Sequence, residues 1–167
     1  LPRRHRPTIR SLGAQIDRAI AGFLRGQALV CFIMGIYYSI ALVLVGLNFG
    51  FLIGVSTGIL TFIPYVGSLS GFLIGMIVAV VQFYPNWWPI IAVAGVIIVG
   101  QFLEGYVLSP KLVGQSVGLH PVWLMFSLFA FGYLLGFVGL LIAIPLAAAI
   151  GVLLRFALSR YMASPLY

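Results

Sequence analysis

Two carboxylates occur in 167 residues, Asp17 and Glu104. Glu104 lies in Gly100-Gln101-Phe102-Leu103-Glu104-Gly105-Tyr106-Val107-Leu108-Ser109-Pro110-Lys111, at the end of a long apolar run. An ionisable group at the edge of an apolar segment is costly to desolvate, and such groups mark ion paths, polar cargo or partners. Gln101 and Glu104 are three apart, so a regular helix places them on one face, continued by Leu108. A Gln/Glu pair aimed into a bundle accepts hydrogen bonds or binds a cation. If Glu104 is desolvated, proton coupling becomes possible. The alternative is an acid near the membrane surface, paired with Lys111 or with an arginine of the first helix. Asp17 reads as a solvated or arginine-paired surface charge.

Other chemistries lack their residues. His120 precedes Pro121 at a membrane boundary, and no other His or Cys stands at ligand spacing. A helix-start or interfacial role therefore fits His120 better than metal binding. Cys31 is alone, and an apolar buried role fits it. No nucleophile–base pair, phosphate loop or dinucleotide glycine fingerprint appears. We expect no enzyme, no cofactor and no metal.

Composition decides the solvent. Hydrophobic residues make up 63% of the chain and charged residues 7%, whereas soluble domains carry about a quarter charged residues. Lipid must cover much of this surface, so the lipid bilayer is the first expected partner. The runs are long and continuous rather than short and alternating, which excludes a membrane β-barrel. The expected class is an all-α polytopic helical membrane protein with Gly/Pro-broken or re-entrant helices. The net charge of +7 comes from residues that flank apolar runs: Arg3, Arg4, Arg6, Arg10, Arg18 and Arg25 before the first, Arg155 and Arg160 after the last. That is the positive-inside pattern, not a nucleic-acid surface. The first apolar run is too long for a signal peptide and lacks a small-residue cleavage site. The chain starts at Leu1 rather than Met, which reads as a piece of a longer protein.

These elements must position the chemistry. Residues 1–27 are a basic cytoplasmic linker followed by an amphipathic interfacial helix, with Ile9, Leu12, Ile16, Ile20, Phe23 and Leu24 at helical spacing. Residues 28–158 form the membrane domain and 159–167 a cytoplasmic tail. Within the domain, 28–47 is long enough to cross, at ~1.5 Å per residue over a ~30 Å core. Residues 49–63 reach only ~22 Å, so 49–83 is either two crossings or a re-entrant hairpin. Residues 84–89 are an interfacial turn carrying Trp87 and Trp88. Residues 90–108 span again. Residues 109–121 read as a polar cytoplasmic loop with Ser109, Pro110, Lys111, His120 and Pro121. Residues 122–158 read as two closely connected helices, broken near Gly136–Gly139 and again at Pro145. Both chain ends belong in the cytoplasm, the tryptophan turn outside and Lys111 inside.

Two stretches look alike. Gly50, Gly54 and Gly58 lead to Pro64; Gly132, Gly136 and Gly139 lead to Pro145. Interrupted apolar segments in matching places point to a transport site, because a helix break frees backbone dipoles inside the membrane. The expected substrate or ion pathway is Pro64, Tyr65, Gly67, Gln101, Glu104, Gly136, Gly139 and Pro145. The plainer explanation of the glycines is close helix packing.

Five motifs occur in order: Phe23-Leu24-Arg25-Gly26-Gln27, Ile63-Pro64-Tyr65-Val66-Gly67, Glu104-Gly105 with Leu108-Ser109-Pro110-Lys111, Val117-Gly118-Leu119-His120-Pro121, and Gly136-Phe137-Val138-Gly139 with Ile144-Pro145-Leu146. Together they resemble the C-terminal half of the autoinducer-2 exporter family of bacterial permeases, from about residue 8 to 158. The resemblance implies a multi-pass protein of the bacterial inner membrane, assembled as a homo-oligomer. It implies export of a small polar solute, a quorum-sensing signal in some members, and sodium/proton antiport in others. Three functions follow in order of preference: an exporter, a cation/proton antiporter coupled through Glu104, and a non-transporting membrane scaffold.

Overall fold

The computed structural model describes the backbone of residues 6–63, 66–113 and 121–162. The described residues are helices and short turns. The first helix, α1, runs unbroken over Arg6–Leu44. The expected interfacial helix and first span are therefore one element, and it ends three residues before 47. Then come α2 (Gly50–Leu60), α3 (Val66–Phe83) and α4 (Trp87–Phe102). A π-helix over Leu103–Val113 continues α4 directly. The last helical stretch is Pro121–Met162.

Four stretches are long and apolar enough to cross a membrane by length and composition: Arg10–Leu44, Val66–Phe83, Trp87–Val113 and Met125–Leu154, the last of them interrupted at Gly136. The outward faces are those of a protein solvated by lipid. Val81 is 80% exposed and Phe129 77%, and such surface has no place in water. The chain is a polytopic helical membrane protein. α2, at 11 residues, is about 16 Å long and does not cross by itself.

Residues fall into two compact units, Gly26–Val113 and Leu1–Arg25 with Gly114–Tyr167. In the first, the helices pack antiparallel through glycine. A Cβ on Gly50 would press on the Leu42–Val43 backbone, one on Gly54 on Ser39, and one on Gly58 on Gly35. These three glycines, one turn apart, bring α2 onto the backbone of α1. On the other side of α2, Gly67 of α3 abuts Thr61 and Gly71 abuts Thr57. Gly75 lets Ile97 of α4 approach, and Gly100 of α4 receives the ring of Tyr38. Val30, Met34, Tyr38 and Leu42 form the buried stripe of α1, joined by Ile53, Ala79, Val93 and Ile97.

Turns are held by side chains. Gln82 of α3 accepts from the Asn48 backbone N–H at 2.7 Å and donates to the Gly46 carbonyl at 2.8 Å. This fixes the α1–α2 connection, where Gly46 has a φ of 82° that suits glycine. Asn86 caps α4 by accepting from the Trp88 N–H at 3.3 Å. Trp87 and Trp88 stand exposed beside it, as the interfacial turn requires.

In the second unit Pro121–Met162 is two helices, α5 (121–135) and α6 (137–162), meeting at Gly136 with φ 60° and ψ −140°. That conformation belongs to glycine. A Cβ on Gly139 would strike the Phe131 carbonyl, and one on Gly132 the Leu140 side chain, so the two helices fold back on each other. The break near Gly136 is thus where the sequence put it. The second break is not: the helix continues through Pro145, flanked by buried Ala143, Ile144, Ala147 and Ala148. A proline removes one ladder bond, and here the helix carries that loss without ending. The 109–121 loop is also corrected, because Ser109, Pro110 and Lys111 are wound into the π-helix. Residues 114–120 lie outside the described residues.

The two glycine-rich stretches therefore do different work. Gly50, Gly54 and Gly58 are contacts between helices, while Gly136 turns the chain. Gly54→Ala should lower detergent-solubilised stability by about 1–3 kcal/mol, the usual cost of overpacking. Gly95→Ala, where a Cβ meets nothing within 4 Å, should leave it unchanged or slightly raised. Thermal unfolding of the two variants checks the contrast.

Candidate functional site

Most polar side chains in the Gly26–Val113 unit satisfy themselves locally. The hydroxyls of Ser56 and Thr57 donate to the Ile53 carbonyl, and that of Thr61 to the Thr57 carbonyl. The Ser70 hydroxyl donates to the Gly67 carbonyl. Tyr37 of α1 donates across to the Val96 carbonyl of α4 at 2.9 Å. Among the described residues, two buried side-chain polar atoms lack any hydrogen-bond partner: the Tyr38 hydroxyl and Glu104 Oε2. Tyr38 is 1% exposed. In lipid an unsatisfied group is expensive, so these two atoms are the candidates for a polar site in this unit.

Tyr38 rests on Gly100, and a Cβ there would overlap its hydroxyl and ring. Glu104 is four residues beyond Gly100, on the π-helix that continues α4. Twelve residues along from Gly100, the Leu112 carbonyl fits against Gly26 of α1. Glu104 thus lies between two contacts with α1, alongside its apolar run. It makes no ion pair with Lys111, which is exposed.

Glu104 lies in the first turn of the π-helix and is partly buried. The i→i+5 winding is wider than an α-helix, and such segments gather at functional sites. Pro110 has no N–H to give and Gly105 is a poor helix former, so a regular α-ladder is weak over this stretch. The winding changes at Leu103, and α-helical spacing no longer joins Gln101 to Glu104. Gln101 is exposed while Glu104 is partly buried. The expected Gln/Glu pair on one buried face is not formed.

A second polar contact sits at the chain break between α2 and α3. Gln27, 4% exposed, donates from Nε2 to the Thr61 carbonyl at 2.7 Å. Thr61 is itself fully buried and ends α2. The interruption therefore exists, and it lies abreast of the start of α1's apolar run. Gly67 packs against Thr61 at the same break. Pro64, Tyr65 and His120 lie outside the described residues, as does the side chain of Pro121. Gly136, Gly139 and Pro145 belong to the other unit. Ser109 is half-buried, and Pro110 and Lys111 face outward.

Sequence reasoning missed Tyr38, Gly100, Gln27 and Thr61 as site residues. A hydroxyl within an apolar run and a glycine one turn before Glu104 were the available signals. The apolar groove between α1 and α2, about 700 Å³ and lined by Phe32, Ile36, Ile40, Phe51 and Ile59, suits acyl chains rather than polar cargo.

A multi-pass helical membrane protein with a secluded acid and an interrupted hairpin fits a permease. A family profile described as AI-2E family transporter matches residues 1–159. The chain belongs to that family. It is similar to YrrI of Bacillus subtilis (strain 168), named as a proposed transport protein, at 34% identity over 139 residues, covering 83% of this chain and 38% of that protein. It is similar to sll0060 of Synechocystis, also named for proposed transport, at 35% over 136 residues, covering 81% and 38%. PerM of Escherichia coli (strain K12), named as a proposed permease, is 35% identical over 154 residues, covering 89% and 43%. The chain thus spans about two fifths of these relatives. No solved structure matches it.

Gln27→Leu keeps the side-chain shape but leaves the Thr61 carbonyl without its donor. An orphaned buried acceptor costs about 1–3 kcal/mol. The expected outcome is a lower unfolding temperature and faster protease cleavage at residues 61–66.

Proposed function

We propose that the full-length protein exports a small polar solute of the autoinducer-2 type, with this chain as the C-terminal part of its membrane domain. The observation that carries the reading is the interrupted α2–α3 junction, where buried Gln27 holds a backbone carbonyl at 2.7 Å. Backbone groups at a helix break take polar cargo without a fixed charge. Family membership supports transport rather than catalysis. In this proposal the protein sits in the bacterial inner membrane with both ends of this chain cytoplasmic, assembled as a homo-oligomer. The arginines that precede the first apolar run, and Trp87 and Trp88 in the turn between α3 and α4, support that orientation. In cells lacking other exporters, expression should speed release of the signal into the medium, and Gln27→Leu should slow it. Release at the empty-vector rate would overturn the reading.

The orphaned carboxylate of Glu104 favours a second reading, cation/proton antiport. A membrane acid without a counter-charge is the usual coupling group. Here Glu104→Gln should abolish pH-driven cation exchange in vesicles holding the full protein. Exchange at the unaltered rate removes Glu104 as the coupler.

A further inference from the structure

The depth of the α2–α3 hairpin is set by what its two ends touch. At the open end, Gln82 of α3 holds the Gly46 carbonyl and the Asn48 N–H of the α1–α2 connection. The turn with Asn86, Trp87 and Trp88 follows directly. The open end therefore stands at the face of the tryptophan turn. At the closed end, Gly67 of α3 abuts Thr61 of α2, and Gln27 of α1 holds the Thr61 carbonyl at 2.7 Å. By length α3 could cross the bilayer, yet its first turn packs on the end of α2 rather than beyond it.

Helix rise converts these contacts into depth. Gly50 to Thr61 is about 17 Å and Gln82 to Gly67 about 22 Å, at ~1.5 Å per residue. The hydrocarbon core is about 30 Å thick, so the tip stops about 8–13 Å short of the far boundary. α1 supplies an independent count. Gly50 packs on Leu42, and Gln27 lies about 22 Å back along α1 from there, about 6 Å beyond Thr61. The Gln27 side chain and its hydrogen bond span that difference. α4 and its π-helix go further than the hairpin, since the Leu112 carbonyl reaches Gly26. Composition agrees. No charged residue lies between Arg25 and Glu104, whereas a loop among the far headgroups is where basic residues collect. Non-helical backbone at membrane depth is tolerated when buried in protein, and Thr61, Ile63 and Gly67 are buried.

We propose that α2–α3 is a re-entrant hairpin that enters from the face of the tryptophan turn, and that Gln27 pins its tip inside the bilayer, short of the far headgroups. α1 and α4 with its π-helix are then the crossings of this unit, and α2 and α3 go in and return. The hairpin stands on its contacts and not on either transport reading. One consequence does rest on the export reading. The glycine contacts of α2 with α1 and the Gln82 clasp close the way from the tryptophan turn, so cargo taken at the Thr61 end arrives from the opposite face.

Depth measured in the bilayer tests this without transport. Full-length protein with its native cysteines replaced, Cys31→Ser among them, carries Val66→Cys labelled with the fluorophore NBD in proteoliposomes. Val66 is half-buried in the first turn of α3. Asn48→Cys, at an exposed position in the α1–α2 connection, is the surface reference. Quenching is compared between phosphatidylcholine spin-labelled near the headgroup and near the end of the acyl chain. The Val66→Cys probe should be quenched more by the deep label, and the Asn48→Cys probe more by the shallow one. Should Val66→Cys fail to fold, Phe62→Cys on the other arm of the hairpin repeats the measurement. Shallow quenching at the tip means two full crossings and overturns the proposal. Adding Gln27→Leu should shift the ratio of shallow to deep quenching at the tip. An unchanged ratio in folded protein removes Gln27 as the pin. A deep tip in a protein that exports no signal would remove the export reading and leave the hairpin standing, and a shallow tip in an active exporter would do the reverse.

Discussion

Hydrocarbon offers no hydrogen bonds, and this constraint decides what each polar atom in the Gly26–Val113 unit can do. Ser56, Thr57 and Thr61 donate back to carbonyls of their own helix, and Ser39 of α1 donates to the Phe51 carbonyl of α2. Gln82 closes a connection, and Gln27 holds the carbonyl at a chain end. Once those local solutions are made, Tyr38 and Glu104 are left over. The antiport reading starts from that remainder, and the export reading from the carbonyl that Gln27 holds.

Glycine makes the remainder possible. α1 and α2 meet backbone to backbone at Gly54 and Gly58, and α2 and α3 do so at Gly67. Helices this close gain dispersion contact over long lengths, which drives association where apolar burial has no solvent gradient to exploit. Close packing also leaves little room for side-chain adjustment. A tyrosine held against Gly100 has little freedom to move.

Much of the architecture could be read from residue types. Lipid as solvent followed from the scarcity of charge, the tryptophan turn from its composition, and the hinge from Gly136. Glu104 stood out as the acid of the Gly26–Val113 unit. The seating of Tyr38 on Gly100 was not legible, because helices apolar on all sides carry no stripe that fixes their rotation. Which residue of α1 faces Gly100 depends on tertiary register, and tyrosine counts as one more apolar residue until its hydroxyl is found without a partner. The expected pairing of Gln101 with Glu104 failed for a local reason, since the spacing rule assumes an α-helix and the winding changes at Leu103. Pro145 was misread for the opposite reason. Proline is a helix breaker in water, yet in a bundle neighbouring helices absorb the lost bond.

Tyr37 and Tyr38 make the strongest internal comparison. They are consecutive on α1, and both reach toward α4. Tyr37 finds the Val96 carbonyl at 2.9 Å. Tyr38, one residue along and four α4 residues deeper, finds Gly100 and no acceptor. A backbone carbonyl was evidently within the means of this interface to provide. If the Tyr38 hydroxyl served only to fill space, phenylalanine would pack against Gly100 as well, without an oxygen to desolvate. The difference between the two tyrosines is therefore set by what α4 presents to each, a carbonyl at Val96 and a bare glycine at Gly100.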